Sequence, residues 1–584
     1  MKRMFYKFIR TFWPAFILPG IIVILSSLLK SAIGPFWQHS DPAYIYLLNS
    51  LNLVKGIPSA YVDHPGTPLQ MLGQLVILIF NISHSTTDTI NSVLLNPELY
   101  LNVINTVLLI FIPLTSLLLG IYVYRKTNSI PAVFLCQLPN LLLFTLKSHL
   151  YSHPIVPIVY SNINDEPLLL CITNIFNIFI LKLYFSKTKK EELLTILALG
   201  FTSGLGISCK LTFLPLIALP LIISRWSMKP VFLIVTMLSF VLWTIPFICL
   251  YPKLWGWITE LFTHTGIYGN GNQGVIDIPN YLISLKLIIH EFWFIILFTF
   301  LTLAISLIQI IKEPTNRAAL FIGTISLTFF IQLAVITKHF DEHYLVVAIN
   351  SIGPLFVLFY LTQTSKNVYL KVTTFILIPI AIIQVLISTS IYTSRLAEYT
   401  KEVVSFNDMI HLKYPNSIYV GSYLELPIRN SEYALFMGND SSGGGQKEEL
   451  SKLYPENFAF YADSRDISGT CTYGLYHFNQ SVFADDLLNK YPNTKIIFIN
   501  SGYDFSETPY MVKPLEEGKY SKAYLLVGST EKSANAYFNA AIQLLQKGDY
   551  PHAFALALKS HELHYQPKGK VEYFLGILYY HLKH

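Results

Sequence analysis

Several acidic residues and one lysine stand where apolar runs meet polar loops. Asp41 lies in His39-Ser40-Asp41-Pro42-Ala43-Tyr44, and Asp63 in Tyr61-Val62-Asp63-His64-Pro65-Gly66-Thr67-Pro68. Asp165 and Glu166 lie in Asn162-Ile163-Asn164-Asp165-Glu166-Pro167, and Lys210 ends Gly204-Leu205-Gly206-Ile207-Ser208-Cys209-Lys210. Charges beside a bilayer are costly, so each is a candidate for function. A carboxylate can take the proton of an attacking hydroxyl or amine, and a cation can hold a departing phosphate. Transfer of a group from a lipid phosphate needs that set. Structural roles compete with this reading. An acid at a helix start stabilises the helix dipole, which accounts for Asp41, Asp165 or Glu166 one at a time. Lys210 can also meet a lipid headgroup.

Two further polar groupings belong to the same inventory. Lys338-His339-Phe340-Asp341-Glu342-His343 falls between two apolar runs. Trp255, Trp257, His264, Tyr268 and Gly269-Asn270-Gly271-Asn272-Gln273-Gly274 form a loop whose rings suit sugar faces and whose amides suit hydroxyls. An interfacial aromatic belt has the same composition. His39, His153, His264 and His290 are scattered as interfacial histidines are, without metal-ligand spacing.

The elements that must position these residues are membrane helices. The 584-residue chain is 53% hydrophobic and 13% charged, with mean hydropathy +0.47. Soluble domains carry about 25% charged residues. The net charge of +6 sits in short basic clusters between apolar runs, a topology signal and no mark of nucleic-acid binding. The five cysteines form no disulfide framework and no zinc spacing. About eleven stretches approach the length that crosses a bilayer. They run 11–29, 99–124, 128–146, 167–185, 193–208, 211–224, 231–251, 288–311, 318–337, 344–363 and 372–393. The basic N-terminus reads as the start of an uncleaved first span.

With that end cytoplasmic, the pairs Arg125/Lys126, Arg225/Lys229, Lys312/Arg317 and Lys366/Lys371 all fall inside. This holds only if Leu69–Ile82 lies along the surface as a juxtamembrane helix. The loops near 30–98 and 252–287 and the tail from about 394 then lie outside.

The expected domains are 1–393, an α-helical polytopic membrane domain; 394–530, a soluble α/β domain; and 531–584, a tetratricopeptide-like helical segment. Candidate strands are Ser417–Tyr423, Asn457–Ala462, Lys495–Asn500 and Tyr524–Val527. The loop Gly438-Asn439-Asp440-Ser441-Ser442-Gly443-Gly444-Gly445 reads as a linker turn or as a phosphate cradle, and it lacks the lysine and spacing of a P-loop. Gly548-Asp549-Tyr550, Ala553 and Pro567 partly match a tetratricopeptide repeat, which serves a protein partner or packs on its neighbour.

In order and topology, residues 10–365 resemble the GT-C membrane glycosyltransferases, particularly protein O-mannosyltransferases and lipid A aminoarabinose transferases. The family's first acidic motif is matched by Asp41-Pro42-Ala43-Tyr44, with Pro42 where many relatives carry a second acid. Its proline turn before a juxtamembrane helix is matched by Asp63-His64-Pro65-Gly66-Thr67-Pro68-Leu69. The acid opening the fourth span is Asp165, the Gly-rich hairpin ends at Lys210, and His343-Tyr344-Leu345 follows the second polar cluster. The resemblance implies Asp41 as catalytic base and Asp165 as a second acid. It implies Lys210, with His339 or Lys338, at the donor phosphate. Asp63, His64, Glu166, Tyr44, His264 and Tyr268 are the candidate substrate contacts.

The implied partners are a polyprenyl-phosphate-linked sugar donor, a glycan, lipid or protein acceptor, and membrane lipid. No cofactor is required by these motifs, and a divalent cation is compatible with them. The composition leans bacterial, which would place the chain in the inner membrane with a periplasmic tail. Two other classes compete. A transporter or flippase calls for inverted repeats and charges at mid-membrane. A noncatalytic envelope assembly protein would leave Asp41, Asp165 and Lys210 idle.

Overall fold

The computed structural model describes residues 2–146, 160, 162–265, 269, 271–364, 368–420, 431–454, 460–465, 471–477, 480–482, 484–500, 510–529, 533–546, 548–563 and 568–583. Through residue 413 every regular element in them is helical. In order these are α1 (Lys2–Ile33), α2 (Ser40–Lys55), α3 (Thr67–Phe80), α4 (Thr86–Leu95), α5 (Pro97–Thr127), α6 (Ile130–Leu142), α7 (Asp165–Phe185) and α8 (Lys189–Cys209). There follow α9 (Ala218–Ile223), α10 (Lys229–Thr244), α11 (Tyr251–Thr263), α12 (Ile278–Lys312), α13 (Arg317–Lys338), α14 (Leu345–Ser351), α15 (Gly353–Thr364) and α16 (Val368–Lys413).

Among the described residues, nine helices are long and apolar enough to cross a membrane. The chain is a polytopic α-helical membrane protein, as its composition requires. Two of the expected stretches are shorter apolar elements, Ile130–Thr145 and Leu211–Ile223. The first passes from α to 3-10 geometry and the second from 3-10 to α, and a proline lies within each, Pro139 and Pro215. The expected stretch Leu69–Ile82 falls mostly on α3, which ends at Phe80 and is also a short apolar helix.

The chain divides into two compact units. The first takes Met1–Phe36, Asp41–Ala397 and Ser441–Lys447; the second takes Trp37–Ser40, Glu398–Asp440 and Glu448–His584.

In the first unit, small residues bring helices close. A Cβ added at Gly204 of α8 would overlap the Thr236 carbonyl of α10, and one at Gly206 would sit 2.6 Å from the Phe213 ring. Such contacts give van der Waals cohesion where the hydrophobic effect gives none between lipid-immersed helices. Thr188 and Glu191 start α8 with a capping box. A buried amide chain crosses the unit: Asn174 of α7 exchanges hydrogen bonds with Asn140 of α6 at 2.8 and 3.1 Å. Asn174 also donates to Thr115 of α5 at 3.2 Å and accepts from Asn350 of α14 at 3.1 Å. Polar side chains inside a bilayer must find partners within the protein, and these tie the helices together.

The second unit holds two sheets. One has the order β1 (Ile418–Val420), β5 (Ile496–Asn500), β7 (Lys522–Ser529), β6 (Tyr510–Glu517); β1 and β5 are parallel and the remaining pairs antiparallel. The other is the antiparallel set β2 (Phe460–Arg465), β3 (Cys471–His477), β4 (Gln480–Val482). Helices α17 (Ser431–Ser441), α18 (Lys447–Leu453) and α19 (Ala484–Lys490) accompany them along the chain. Ile418, Val420, Leu487, Ile496, Phe498 and Leu526 form the core of the four-stranded sheet. The helices α20 (Ser533–Gln546), α21 (Tyr550–Glu562) and α22 (Lys568–Lys583) pack around Phe538, Ala553, Ala557, Val571, Phe574 and Leu578.

Candidate active site

The charged residues collect where α2, α7 and α8 meet the segment before α14. Asp165 and Glu166 open α7, and Lys210 follows the last residue of α8. The Lys210 ammonium forms an ion pair with Glu166, and both side chains are almost fully buried. Lys210 also lies 4.5 Å above the Tyr344 ring centre, a cation–π contact. His343 reaches the same carboxylate: its Nε2 is 3.6 Å from Glu166 Oε1, while its Nδ1 is 2.7 Å from Asp341 Oδ1. Acids and bases thus alternate from Asp341 through His343 and Glu166 to Lys210. Burial opposes ionisation of Asp341, but the charge and hydrogen bond of His343, with further help from Glu342 and Lys210, outweigh it and hold the carboxyl at about 2.

Asp165 has different partners. Tyr46 of α2 donates its hydroxyl hydrogen bond to Asp165 Oδ2, and the Cys209 thiol points at Oδ1 from 3.8 Å. Burial, with the Asp165 charge beside it, raises the Tyr46 phenol well above its ordinary range, so it stays a donor. The Tyr46 ring stands edge-on to Tyr61, 5.8 Å between centres.

Asp41 lies about one turn before Tyr46, at the start of α2, with backbone angles of φ −90° and ψ 123° that set it off from the helix. Glu98 of α5 brackets this position: its Oε2 accepts from the Phe36 N–H at 2.8 Å and its Oε1 from the Tyr44 hydroxyl at 2.7 Å. The Asp41 side chain remains solvent-accessible, while surrounding protein displaces enough water to push its carboxyl up to about 6. That range suits a base working near neutral pH.

The loop between α2 and α3 brings the remaining groups. His64 takes a left-handed backbone, φ 62°, and its ring stands against Trp257 and Tyr344 at 5.3 and 5.8 Å. Burial and the neighbouring Lys210 and His343 charges lower its pKa well below the ordinary value, so it is a neutral imidazole. The loop is pinned by the Gly66 N–H, which donates to the Cys209 carbonyl at 3.1 Å. A Cβ at Gly66, whose φ is +64°, would come within 2.9 Å of the Tyr46 hydroxyl. Burial raises the Asp63 pKa, with Lys253 pulling it back down and Glu260 adding to the rise.

The remaining expected residues stand apart from this cluster or do other work. Lys338 and His339 bind the carbonyls that end α11: Lys338 donates to Leu261 and Phe262, and His339 Nε2 lies 3.0 Å from the Leu261 carbonyl. A cation at a helix C-terminus is stabilised by the helix dipole. His264 pairs with Gln273 in an isolated bridge, and its Nδ1 contacts the Thr263 hydroxyl at 2.9 Å. Tyr268 lies outside the described residues. Among the described residues no three His, Cys, Asp or Glu side chains converge as ligands for a metal ion.

Sequence reasoning did not assign roles to Tyr46, Glu98, Asp341 or His343. Asp341 and His343 carried a signal, since they lie in the polar cluster between apolar runs. Tyr46 and Glu98 carried none, because their partners are distant in sequence.

No protein-family model matches the chain, and no curated protein matches it. Two solved structures align along most of its length. A crystal structure of ArnT from Cupriavidus metallidurans bound to undecaprenyl phosphate is 10% identical, with 87% of this chain and 97% of that chain covered and a TM-score of 0.43. The apo state of the same protein is 11% identical, with 87% and 98% covered and a TM-score of 0.42. The likeness concerns the course of the chain, and the chemistry must be read from the side chains.

Proposed function

We propose that this protein is a membrane glycosyltransferase that moves a sugar from a polyprenyl-phosphate donor to an acceptor on the outer face of a bacterial inner membrane, with the N-terminus cytoplasmic. The observation that carries the reading is a buried lysine, Lys210, held by Glu166, under which the Tyr344 ring lies and near which His343 and His64 stand; Asp41, raised to about 6, starts the helix whose Tyr46 holds Asp165. The motif order noted in the sequence supports it.

In this reading the acceptor hydroxyl or amine gives its proton to Asp41. The freed lone pair attacks the anomeric carbon from the side opposite the phosphate. The bond from that carbon to the phosphate oxygen breaks, and the phosphate leaves with the electron pair. The anomeric centre inverts. Lys210 meets the growing phosphate charge, and such placed electrostatics are commonly the largest catalytic contribution. Asp165, fixed by Tyr46, is the second acid and orients the sugar. Lys338 and His339 hold the end of α11 and take no part in this step. Asp63 and His64 are the substrate contacts in this reading, with His264 and Tyr268 of the outer loop as sugar contacts; Tyr44 and Glu166, both buried, act by holding Glu98 and Lys210.

The test uses purified full-length protein and labelled polyprenyl-phosphate sugars, supplied one at a time. Turnover with one donor is expected, and Asp41→Asn should cut kcat by about 10²–10⁴ while still binding that donor. An Asp41→Asn enzyme with full turnover sinks the assignment of the base. No binding of any donor sinks the reading itself.

A further inference from the structure

The glycine-rich segment Ser442–Gln446 comes from far along the chain and lies on α2, within the compact unit that holds the site. Asn52 of α2 donates to the Ser442 carbonyl at 3.0 Å, and Lys55 donates to the Gly445 carbonyl at 3.0 Å. Gln446 returns a hydrogen bond to Asn52 Oδ1 at 2.9 Å. Asn52, Ser442 and Gln446 are all buried. The glycines permit this approach. A Cβ at Gly445 would overlap the Asn52 amide, and Gly443 takes φ +75° with its missing Cβ only 2.8 Å from the methyl of Ala60.

Asn52 and Ala60 belong to the two elements that carry the candidate chemistry. Asn52 lies on α2 beyond Asp41 and Tyr46. Ala60 precedes Asp63 and His64, and Asn49 of α2 already ties that loop down. Its Oδ1 accepts from the Ser59 hydroxyl at 3.1 Å and from the N–H groups of Ala60 and Tyr61 at 2.9 and 3.3 Å. The strap therefore closes on both α2 and the loop that follows it.

We propose that Ser442–Gln446 is a positioning strap, and that Asn52, Gly443, Gly445 and Gln446 set the placement of Asp41, Tyr46, Asp63 and His64. Lys210, Glu166 and His343 lie on other elements and meet the strapped segments only through His64, Gly66 and Tyr46, so the strap acts on turnover more than on phosphate binding. Its kinetic and binding consequences rest on the transferase reading; the exchange over residues 49–63 does not.

The test compares full-length wild type with Gly445→Ala and Asn52→Ala, reading hydrogen exchange over residues 49–63, polyprenyl phosphate binding and steady-state kinetics. The strap predicts faster exchange over 49–63 in both variants and a polyprenyl phosphate affinity that falls less than turnover. It also predicts a kcat lowered about ten- to a hundredfold, as small misplacements of reacting groups produce. Unchanged exchange there overturns the proposal. So does a uniform loss of thermal stability with kcat intact, or a loss of phosphate binding together with turnover. If wild type neither binds polyprenyl phosphate nor transfers sugar, the transferase reading fails, and the exchange arm still decides the strap.

Discussion

Two lysine–glutamate pairs in this molecule have similar geometry and different surroundings. Lys210 and Glu166 are almost fully buried. Lys519 and Glu398, in the other unit, are more than half exposed. Removing two charges from water costs several kcal/mol each, and the pairing returns that cost only with further contacts. The buried pair has such contacts in His343 and the Tyr344 ring. The exposed pair lies in solvent, where attraction is weak and side-chain entropy opposes it. The difference teaches that burial makes this pair a poor source of stability, which is why the proposed reading gives it the donor phosphate to hold. A hydrophobic pair would fill the same space at lower electrostatic cost.

The largest effect expected is at Lys210. Lys210→Met leaves Glu166 buried beside one remaining base and should lower unfolding free energy by about 3–5 kcal/mol. It should also abolish donor binding, read by titration with polyprenyl phosphate. The double variant Lys210→Met with Glu166→Gln should recover the stability without the binding. If it recovers both, the pair is structural and the comparison collapses.

Asp41 is a third case, a charge crowded by protein yet open to solvent. Its carboxyl must be ionised to act as base, so kcat/KM should rise with pH and level off above about 6. Below that value the rate should fall about tenfold per pH unit. Asp341, at about 2, and His64, well below its ordinary range, keep their charge states across this window. The limb should vanish from the residual activity of Asp41→Asn. A limb that persists there assigns it to another group, and Asp63, also raised, comes first.

At the small end, Lys519→Met should leave the melting temperature unchanged. A clear fall would mean that exposure does not separate the two pairs.

Much of the membrane unit was legible because apolar length is a strong signal. The long helices fall on the expected stretches, while 128–146 and 211–224 are shorter elements with internal prolines. In the tail, β1, β2, β5 and β7 fall on the four candidate strands. The strands β3, β4 and β6 were missed. β6 reads Tyr-Met-Val-Lys-Pro-Leu-Glu-Glu, without clean alternation, and its pairing with β7 has two register shifts. Such a strand is specified by its neighbour more than by its own pattern.

At the site, Asp165, Glu166 and Lys210 were legible because charges beside apolar runs are rare. Their arrangement was not. Tyr46 meets Asp165 across 119 residues and Lys210 meets Glu166 across 44, and one sequence without relatives carries no trace of such pairings.

The strap has a consequence in time. Asn52 and Ser442 are 390 residues apart. At a synthesis rate of about 5–20 residues per second, α2 waits roughly 20–80 s for the segment that closes over it. A chain halted before that point has already inserted its spans and carries Asp41, Asp165 and Lys210, but its α2 is unfinished. On the strap proposal, full activity begins only when the tail has been made, so an unfinished chain in the membrane is held back from acting on the lipid around it.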